Sequence, residues 1–552
     1  MRVERRGTGI RWSWLLLLPL TLACGTAERP PTIDSVQAAL VGVEPVPAVH
    51  VYENHSSALI AWRRAGVRGR ILVHLDGHID FDWLPDETVA RIAAASPDEL
   101  SGLEHHPYAM DGEAYSRFGI WNFIYPAARL GIVREMVWVV PDGSLQDEFS
   151  VSQLARFQLL DKLQGVTVRE ALELRREGRV LSGTLLGLPI TICELSGLPD
   201  LPEPVLLDID LDYFTTRSAV TQGVTRGPWT TPESVIEVLR GRGVRTDLAT
   251  ISLSTIGGFL PPTARWLAPT LRAILRSGQV AEPEVASGVG LPTPRPGDDP
   301  AHNVEAYRRW TRERPDDAIG WFLLYRALRA VGQHDEATRA RVEAVRLDPL
   351  LGHEGLFEGD RLWRNNKHEA ALAYYEGYLA HVPTSPFRAY ALRRKAGCLR
   401  KLGYDDQAIR TYWEVLALAP DHADTHKDLA IALRARGRVH EALEELHLAR
   451  RILPARADYA MAAGTTCLLL DRVEEGIAHL EDAVELRPCW PDARRNLAVA
   501  LLAAGRHEEA AAHVRVAFVL QPATPRLRQV AAELSRQGVE VGGADIKSIS
   551  FE

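Results

Sequence analysis

Two hydrophobic rhythms divide the chain. Up to about residue 280, short apolar runs occur at Val46–Val51, Ile71–Leu75, Met136–Val140, Val205–Ile209 and Leu248–Leu253. Between them, apolar residues fall at helical spacing over 56–65, 113–130, 150–163, 231–241 and 263–276. The short runs predict strands covered on both faces, and the periodic stretches predict helices with one buried side. Their alternation predicts an α/β domain over 45–285, with three layers and a mainly parallel sheet between helices. From residue 301 the rhythm is helical throughout. Prolines recur at 349, 383, 420, 454, 488 and 522, with spacings of 34, 37, 34, 34 and 34. Twelve residues before each proline stands a small residue: Ala337, Ala371, Ala408, Ala442, Gly476 and Ala510. In four units another lies twelve further back, at Ala396, Ala430, Gly464 and Ala498. Small residues at fixed places let paired helices approach closely, so 301–540 is expected to be an all-α solenoid of about six helix pairs and a closing helix near 524–537. The Pro-, Gly- and Asp-rich stretch 286–300 is the expected linker, and 541–552 an expected tail.

The repeat period and its small residues resemble the tetratricopeptide repeat. That resemblance implies a curved array whose concave face binds a peptide or protein partner. Trp310, Trp321 and Trp363 fall in the units that fit the pattern least. Two readings of them stay open, a binding groove or packing of the array on its neighbouring domain. Cys398, Cys467 and Cys489 occupy positions that suit a small apolar residue and are expected to be buried.

Composition narrows the class. With 552 residues, 46% of them hydrophobic and 25% charged, the chain has enough apolar surface for more than one packed core. A net charge of −8 carries no nucleic-acid footprint. The five cysteines, 24, 193, 398, 467 and 489, form no Cys-x-x-Cys pair, which excludes a zinc ribbon or a dense disulfide framework. Arg2, Arg5, Arg6 and Arg11 precede an apolar run from Trp12 to Ala23 that is too short to span a bilayer, which takes about 20 residues. This pattern predicts a secretory signal over 1–23. Its end, Leu20-Thr21-Leu22-Ala23-Cys24-Gly25, resembles the lipobox of bacterial lipoproteins. That implies export, lipidation of Cys24, a tether over 24–44 and attachment to the bacterial cell envelope by acyl chains alone. The alternative is an ordinary cleaved signal and a periplasmic or secreted protein.

Polar residues collect where the expected strands end, which is where open α/β sheets place their functional groups. His74-Leu75-Asp76-Gly77-His78-Ile79-Asp80 follows the Ile71 strand, Asp208-Ile209-Asp210-Leu211-Asp212 follows Val205, and Glu53-Asn54-His55 follows Val46–Val51. Alternation along a strand turns several of these acids to one side, an arrangement strongly repulsive without a cation. Carboxylates with imidazoles suit Mn²⁺ or a related divalent ion better than a thiolate site does. His105 and His106 are candidate proton donors by type, with solvated loop histidines as the plainer expectation. Trp121-Asn122 is open between substrate contact and helix packing, and Ser254 to Gly258 between a pocket wall and a turn.

Asp76-x-His78-x-Asp80 and Asp208-x-Asp210 resemble the two metal motifs of the arginase–deacetylase superfamily, and His55 its isolated histidine. The segments 53–59, 74–80 and 207–214 are similar to a largely uncharacterised arginase-like family that includes peptide arginases. The resemblance implies two Mn²⁺ ions, one held by His55, Asp76, Asp80 and Asp208, the other by Asp76, His78, Asp208 and Asp210. It implies hydrolysis of a C–N bond with Asp80 orienting the attacking hydroxide, and arginine side chains of a peptide or protein as one substrate. Sliding the second motif by two residues makes Asp210 and Asp212 the ligands instead. The strand Thr250-Ile251-Ser252-Leu253-Ser254 lacks the acid that grips guanidinium in ureohydrolases. The competing reading is an envelope-anchored scaffold that binds partners through its repeats and whose front domain is not catalytic.

Overall fold

The structure is a computed structural model that describes residues 45–277 and 300–541, apart from 107, 109, 111–116, 161, 222, 226 and 521–523. The expected signal, the tether with Cys24, nearly all of the linker and almost all of the tail lie outside the described residues. Among the described residues no helix is long and apolar enough to cross a membrane.

Eight strands form one mixed sheet: β1 (Ala48–Tyr52), β2 (Arg70–Leu75), β3 (Val133–Val140), β4 (Arg175–Glu177), β5 (Val180–Leu185), β6 (Leu188–Glu194), β7 (Val205–Asp210) and β8 (Thr246–Ser252). Their order is β1-β8-β7-β2-β3-β6-β5-β4. The six strands from β1 to β6 in that order run parallel, while β5 and β4 are added antiparallel. The hydropathy pattern misses this ribbon for a physical reason. Arg175, Arg176 and Glu177 are exposed at the sheet edge, where charge protects an open strand and leaves no apolar run. Leu186 and Gly187, with φ of 50° and 79°, make the two-residue turn that joins β5 to β6.

Strand alternation sorts the core into two layers. Ile71, Val73 and Leu75 of β2, with Leu207 and Ile209 of β7, pack with helices Pro232–Gly241 and Leu267–Ser277. Leu72, Leu206, Met136 and Trp138 pack on the other side with Ser57–Arg64 and Ile124–Arg129. The helix expected over 113–130 is much shorter. Asn122 Oδ1 accepts the Gly119 amide at 2.8 Å and fixes a turn, and the helix starts only at Ile124.

Beyond Pro300–Glu313, helices pair as Ala318–Ala330 with His334–Leu347, Glu354–Arg364 with His368–His381, and Arg388–Lys401 with Asp405–Leu418. They continue as Ala423–Ala435 with Val439–Ile452, Ala457–Leu468 with Val473–Leu486, and Pro491–Ala503 with His507–Leu520, and Pro525–Arg536 follows. The turn inside each pair needs left-handed backbone, which glycine supplies at 332, 403, 437 and 505 and Asn366 and Asp471 supply in the other two. Cys398, Cys467 and Cys489 are buried and unbridged.

Array and sheet domain share a continuous seam. Gln164 donates to Ala455 O and accepts from Ala457 N, at 2.8 and 3.0 Å. Arg265 reaches Asp348 at 2.9 Å, and Cys489 Sγ donates to Val166 O. Ile256, Tyr108 and Met110 join an apolar cluster with Leu356, Phe357 and Phe387 of the array. Of the three tryptophans, Trp310 and Trp321 bond within the first units, to Asp317 and Pro315, while Trp363 packs into the seam cluster.

Candidate metal centre

Four neighbouring loops at the carboxyl end of the sheet build the centre. β1 delivers Glu53, Asn54 and His55; β2 delivers Asp76, His78 and Asp80; β7 ends in Asp210 and Asp212 follows; β8 leads to Ser254. His55 Nδ1 lies 3.3 Å from Asp76 Oδ2, 3.0 Å from Asp80 Oδ2 and 2.9 Å from Asp210 Oδ2. A ligand atom from each of these four residues falls within 4.8 Å of the others. A second group meeting the same limit is Asp76, His78 and Asp212, with His78 Nδ1 at 2.7 Å from Asp212 and 3.5 Å from Asp76. Asp76 belongs to both.

A third group within the same limit is His55, His74 and Asp208, which shares His55 with the first. Asp208 pairs in register with His74 on β2 and Thr250 on β8, one row deeper in the sheet. Its Oδ2 meets His55 Nε2 at 2.7 Å and His74 Nδ1 at 2.9 Å, and Thr250 donates to its Oδ1. Its oxygens are therefore occupied by side chains that brace His55. Of the six expected ligands, His55, Asp76, His78, Asp80 and Asp210 come together in the two groups that share Asp76, and Asp208 meets them through His55. Asp212 groups with Asp76 and His78, and Asp208 with His55 and His74, so the arrangement brings both registers of the second motif to the centre.

The centre is sparing with hydrogen bonds where ligand atoms converge. His55 Nδ1, Asp76 Oδ2, His74 Nε2 and His78 Nε2 are buried without a hydrogen bond. Buried polar atoms left so are costly and call for a partner. The remaining lone pairs are fixed: Ser254 Oγ donates to Asp210 Oδ2 at 2.6 Å, the Asp212 amide to Asp210 Oδ1, the Gly77 amide to Asp212 Oδ1 and the His78 amide to Asp76 Oδ1. Asp80 and Ser254 both hold left-handed backbone, with φ of 49° and 46°. For residues other than glycine this costs about 1 kcal/mol or more and concentrates at functional sites.

Charge crowding sets the protonation. Burial, and then Asp212, push Asp210 up to about 7; burial, and then Asp76, push Asp80 up to about 6. Burial acts first on Asp212 as well, and raises it with Asp76. Asp76 goes the other way: burial works against its charge, but the imidazoles of His55, His74 and His78 beside it outweigh burial and hold it well below the usual carboxylate range. Burial alone would depress His78, yet Asp212 and Asp76 lift it to about 9. Acids forced upward by burial and by one another are the groups that a bound cation relieves.

A cavity of about 170 Å³ opens beside the centre, lined by Glu53, Asn54, His106, Tyr108, Ile120, Ser254 and Ile256 and by Leu350 of the array. Ser254 is thus both pocket wall and brace for Asp210. His106 Nδ1 lies 3.2 Å from Asn54 Nδ2 on the cavity wall. His105 is not solvated as expected: it is buried and meets the Trp121 ring edge to face at 5.3 Å. Asn122 serves the turn before its helix, and Glu53 is tied to Arg265 at 2.8 Å and to the Thr255 amide. His74 and Thr250 are site residues to which the motifs assigned no role, and Ser254 has a bracing role beyond the pocket wall or turn expected of it.

The fourth such group among the described residues lies on the array, His447, Glu475 and His479. Arg450 contacts His479 Nδ1 and Arg472 binds Glu475 at 2.8 Å, so cations already occupy its surroundings.

The tetratricopeptide repeat family model matches residues 358–423 and 468–525. Solved structures similar to the chain include TTC0263, a thermophilic TPR protein in Thermus thermophilus, at 27% identity and a TM-score of 0.28, covering 33% of this chain and 98% of that one. MamA 41-end from Desulfovibrio magneticus RS-1 aligns at 23% identity and a TM-score of 0.27, covering 32% and 92%. YrrB, a TPR protein with an unusual peptide-binding site, aligns at 19% identity and a TM-score of 0.26, covering 37% and 99%. No curated protein matches the chain. The matched repeats and the run of helix pairs agree on position, and the C-terminal half of this chain carries tetratricopeptide repeats.

Proposed function

We propose that the N-terminal domain is a binuclear divalent-metal hydrolase of C–N bonds, arginase- or deacetylase-like, and that the repeat array engages its peptide or protein partner. The observation that carries this reading is the convergence of two ligand groups that share Asp76, at the carboxyl ends of adjacent strands, with buried ligand atoms lacking hydrogen bonds. His55, Asp76, Asp80 and Asp210 would hold one ion, and Asp76, His78 and Asp212 the other. The oxygen-rich donor set with two imidazoles suits Mn²⁺. Bound ions of this kind activate water as a nucleophile at neutral pH and polarise the bond it attacks.

The chain's own residues do the rest. Asp80 is the most solvent-reached of the clustered carboxylates, 11% exposed against 1% for Asp76, and is the group placed to hold a proton taken from water. Asp208 and His74 keep His55 upright from below. Ser254 fixes the rotamer of Asp210. The cavity walls are mostly apolar and carry one carboxylate, Glu53, already bound to Arg265, so the reading rests at the class of C–N bond. Arginine side chains of a peptide are the variant favoured by resemblance. The same reading places the protein outside the cytoplasm, anchored through Cys24, and loss of acyl labelling in Cys24→Ala tests that part.

Metal analysis of the purified full chain is the primary test, with His78→Ala/Asp210→Ala as comparison. Two Mn²⁺ equivalents in the wild type and a loss in the variant are expected. A wild type that neither binds nor is activated by a divalent ion leaves the protein as a partner-binding scaffold. Release of urea and ornithine from arginine-containing peptides then separates arginase from amidohydrolase chemistry.

A further inference from the structure

The array helix Glu354–Arg364 ends against the loop that leaves β8, beside the metal centre. Arg364 Nε donates to Gly257 O at 2.7 Å, and its guanidinium lies over the Phe259 ring, 3.2 Å from the centroid. The Phe259 ring in turn meets His78 edge to face, with centroids 4.9 Å apart and planes at 87°. His78 points Nδ1 at Asp212. The next residue, Asn365, donates to Val224 O at 2.9 Å, and Thr215 donates to Phe259 O at 3.2 Å, so both sides of the contact are pinned. Gly258 brings the two backbones together: a Cβ there would lie 2.5 Å from Arg361 N. The loop therefore carries Ser254, which braces Asp210, at one end and the Phe259 platform at the other. The array supplies the cation that caps the platform.

We propose that Arg364 is a positioning residue of the metal centre, holding the His78 ring through Phe259, so that the repeat array completes the centre. This rests on the binuclear-metal reading of the site. A cation over an aromatic face is attractive, and more so when both groups are out of water. The half-buried guanidinium restricts the ring that fixes the orientation of His78, and groups that orient a ligand typically set metal affinity within a factor of about 10–100. The partner-binding module and the catalytic centre are then mechanically one piece. A partner that shifts the first helix pairs acts directly on the ion held by His78.

The test titrates Mn²⁺ into the metal-free full chain for wild type, Arg364→Ala, Arg364→Lys and Phe259→Leu, with equilibrium dialysis for stoichiometry and the spin-coupled Mn²⁺ pair signal as readout. In Arg364→Ala and Phe259→Leu one equivalent is expected to weaken about tenfold or more and the pair signal to fade, while the other equivalent and the helical circular dichroism stay as in wild type. Arg364→Lys, which keeps a cation over the ring, is expected to restore most of the loss. Wild-type binding of both equivalents in Arg364→Ala overturns the positioning role and leaves the metal reading standing. Equal weakening of both equivalents, or no rescue by lysine, overturns it as well. A wild type that binds no Mn²⁺ overturns both.

Discussion

Asp208 and Asp212 belong to one short segment, and their surroundings give them opposite tasks. Burial works against ionisation of Asp208, but His55 and His74 outweigh it and hold the carboxyl far down, as a permanent anion between two imidazoles. Asp212 is pushed up by burial and by Asp76, the behaviour of a group waiting for a cation. Asp208→Asn is therefore expected to cost about 3 kcal/mol in urea denaturation of the metal-free protein, the scale for breaking one side of a buried ion pair, while both Mn²⁺ equivalents remain. Asp212→Asn is expected to lose one equivalent and to leave the metal-free protein at least as stable, because it removes one charge from a crowded set. A reversed pattern assigns Asp208 as the ligand. The sequence makes Asp76, His78, Asp80 and Asp210 legible, because each follows an apolar strand in a recognisable spacing. It leaves the register open for a physical reason: alternation puts 208 and 210 on one face, whereas Asp212 lies beyond the strand in a helical turn, Asp212–Thr215, where period-two reasoning stops. His74 hides because an imidazole inside a strand reads as core until its register with Asp208 is seen.

At the scale of elements, the repeat helices are legible because one period recurs and the same positions stay small, while the edge strand β4 is not, because it is charged and short. The small positions differ in what they protect. Gly464 and Gly476 face each other across one helix pair, and a Cβ on Gly464 would lie 2.6 Å from Leu480 Cγ and 2.9 Å from Gly476 O. Gly377 is also inside a helix, but a Cβ there meets nothing within 4 Å. Helix propensity favours alanine over glycine by about 1 kcal/mol, so Gly377→Ala is expected to raise the urea midpoint. Gly464→Ala is expected to lower it, since overpacking costs about 1–3 kcal/mol and the backbone oxygen cannot move aside. The helix Ala423–Ala435 carries a pH-sensitive cap: His422 Nδ1 accepts the Thr425 amide at 3.1 Å, which requires a neutral ring. Burial first, and Arg393 second, lower His422 to about 4, below the unfolded value of about 6.5. Its contribution is thus complete above pH 6.5 and is lost as the pH falls towards 4, about 3 kcal/mol in all. Asparagine also caps helices and does not titrate, so the urea midpoint of His422→Asn is expected to fall less than that of wild type between pH 7 and 4.5.

At the scale of the molecule, the seam decides whether domain and array behave as one body or two. Sequence reasoning places a linker at 286–300 and separates two folds, and its one signal for their contact is Trp363, which packs into the seam, because the rest of the seam is made of single residues scattered along both halves. Gln164, Arg265, Cys489, Arg364 and Asn365 each reach across it, and Ile256 and Tyr108 bury apolar surface against Phe357 and Phe387. Polar bonds of this kind contribute about 1 kcal/mol each, more where charge is involved, and apolar burial adds about 25 cal/mol per Å². Such a seam holds without a covalent link. A protease site introduced near residue 290 is therefore expected to be cut without release of either half, and the two fragments are expected to co-elute at micromolar concentration in size-exclusion chromatography. Gly258→Ala makes the sharper comparison. Its Cβ would meet the backbone of Asp360 and Arg361, and its φ of 73° is one that alanine adopts only at a cost of about 1–2 kcal/mol. In the cut protein this variant is expected to let the halves separate, while amide exchange of the uncut variant rises together at 254–260 and 354–364 and stays unchanged over 439–452. Fragments of the wild type that part at micromolar concentration would show that the linker alone keeps array and centre together.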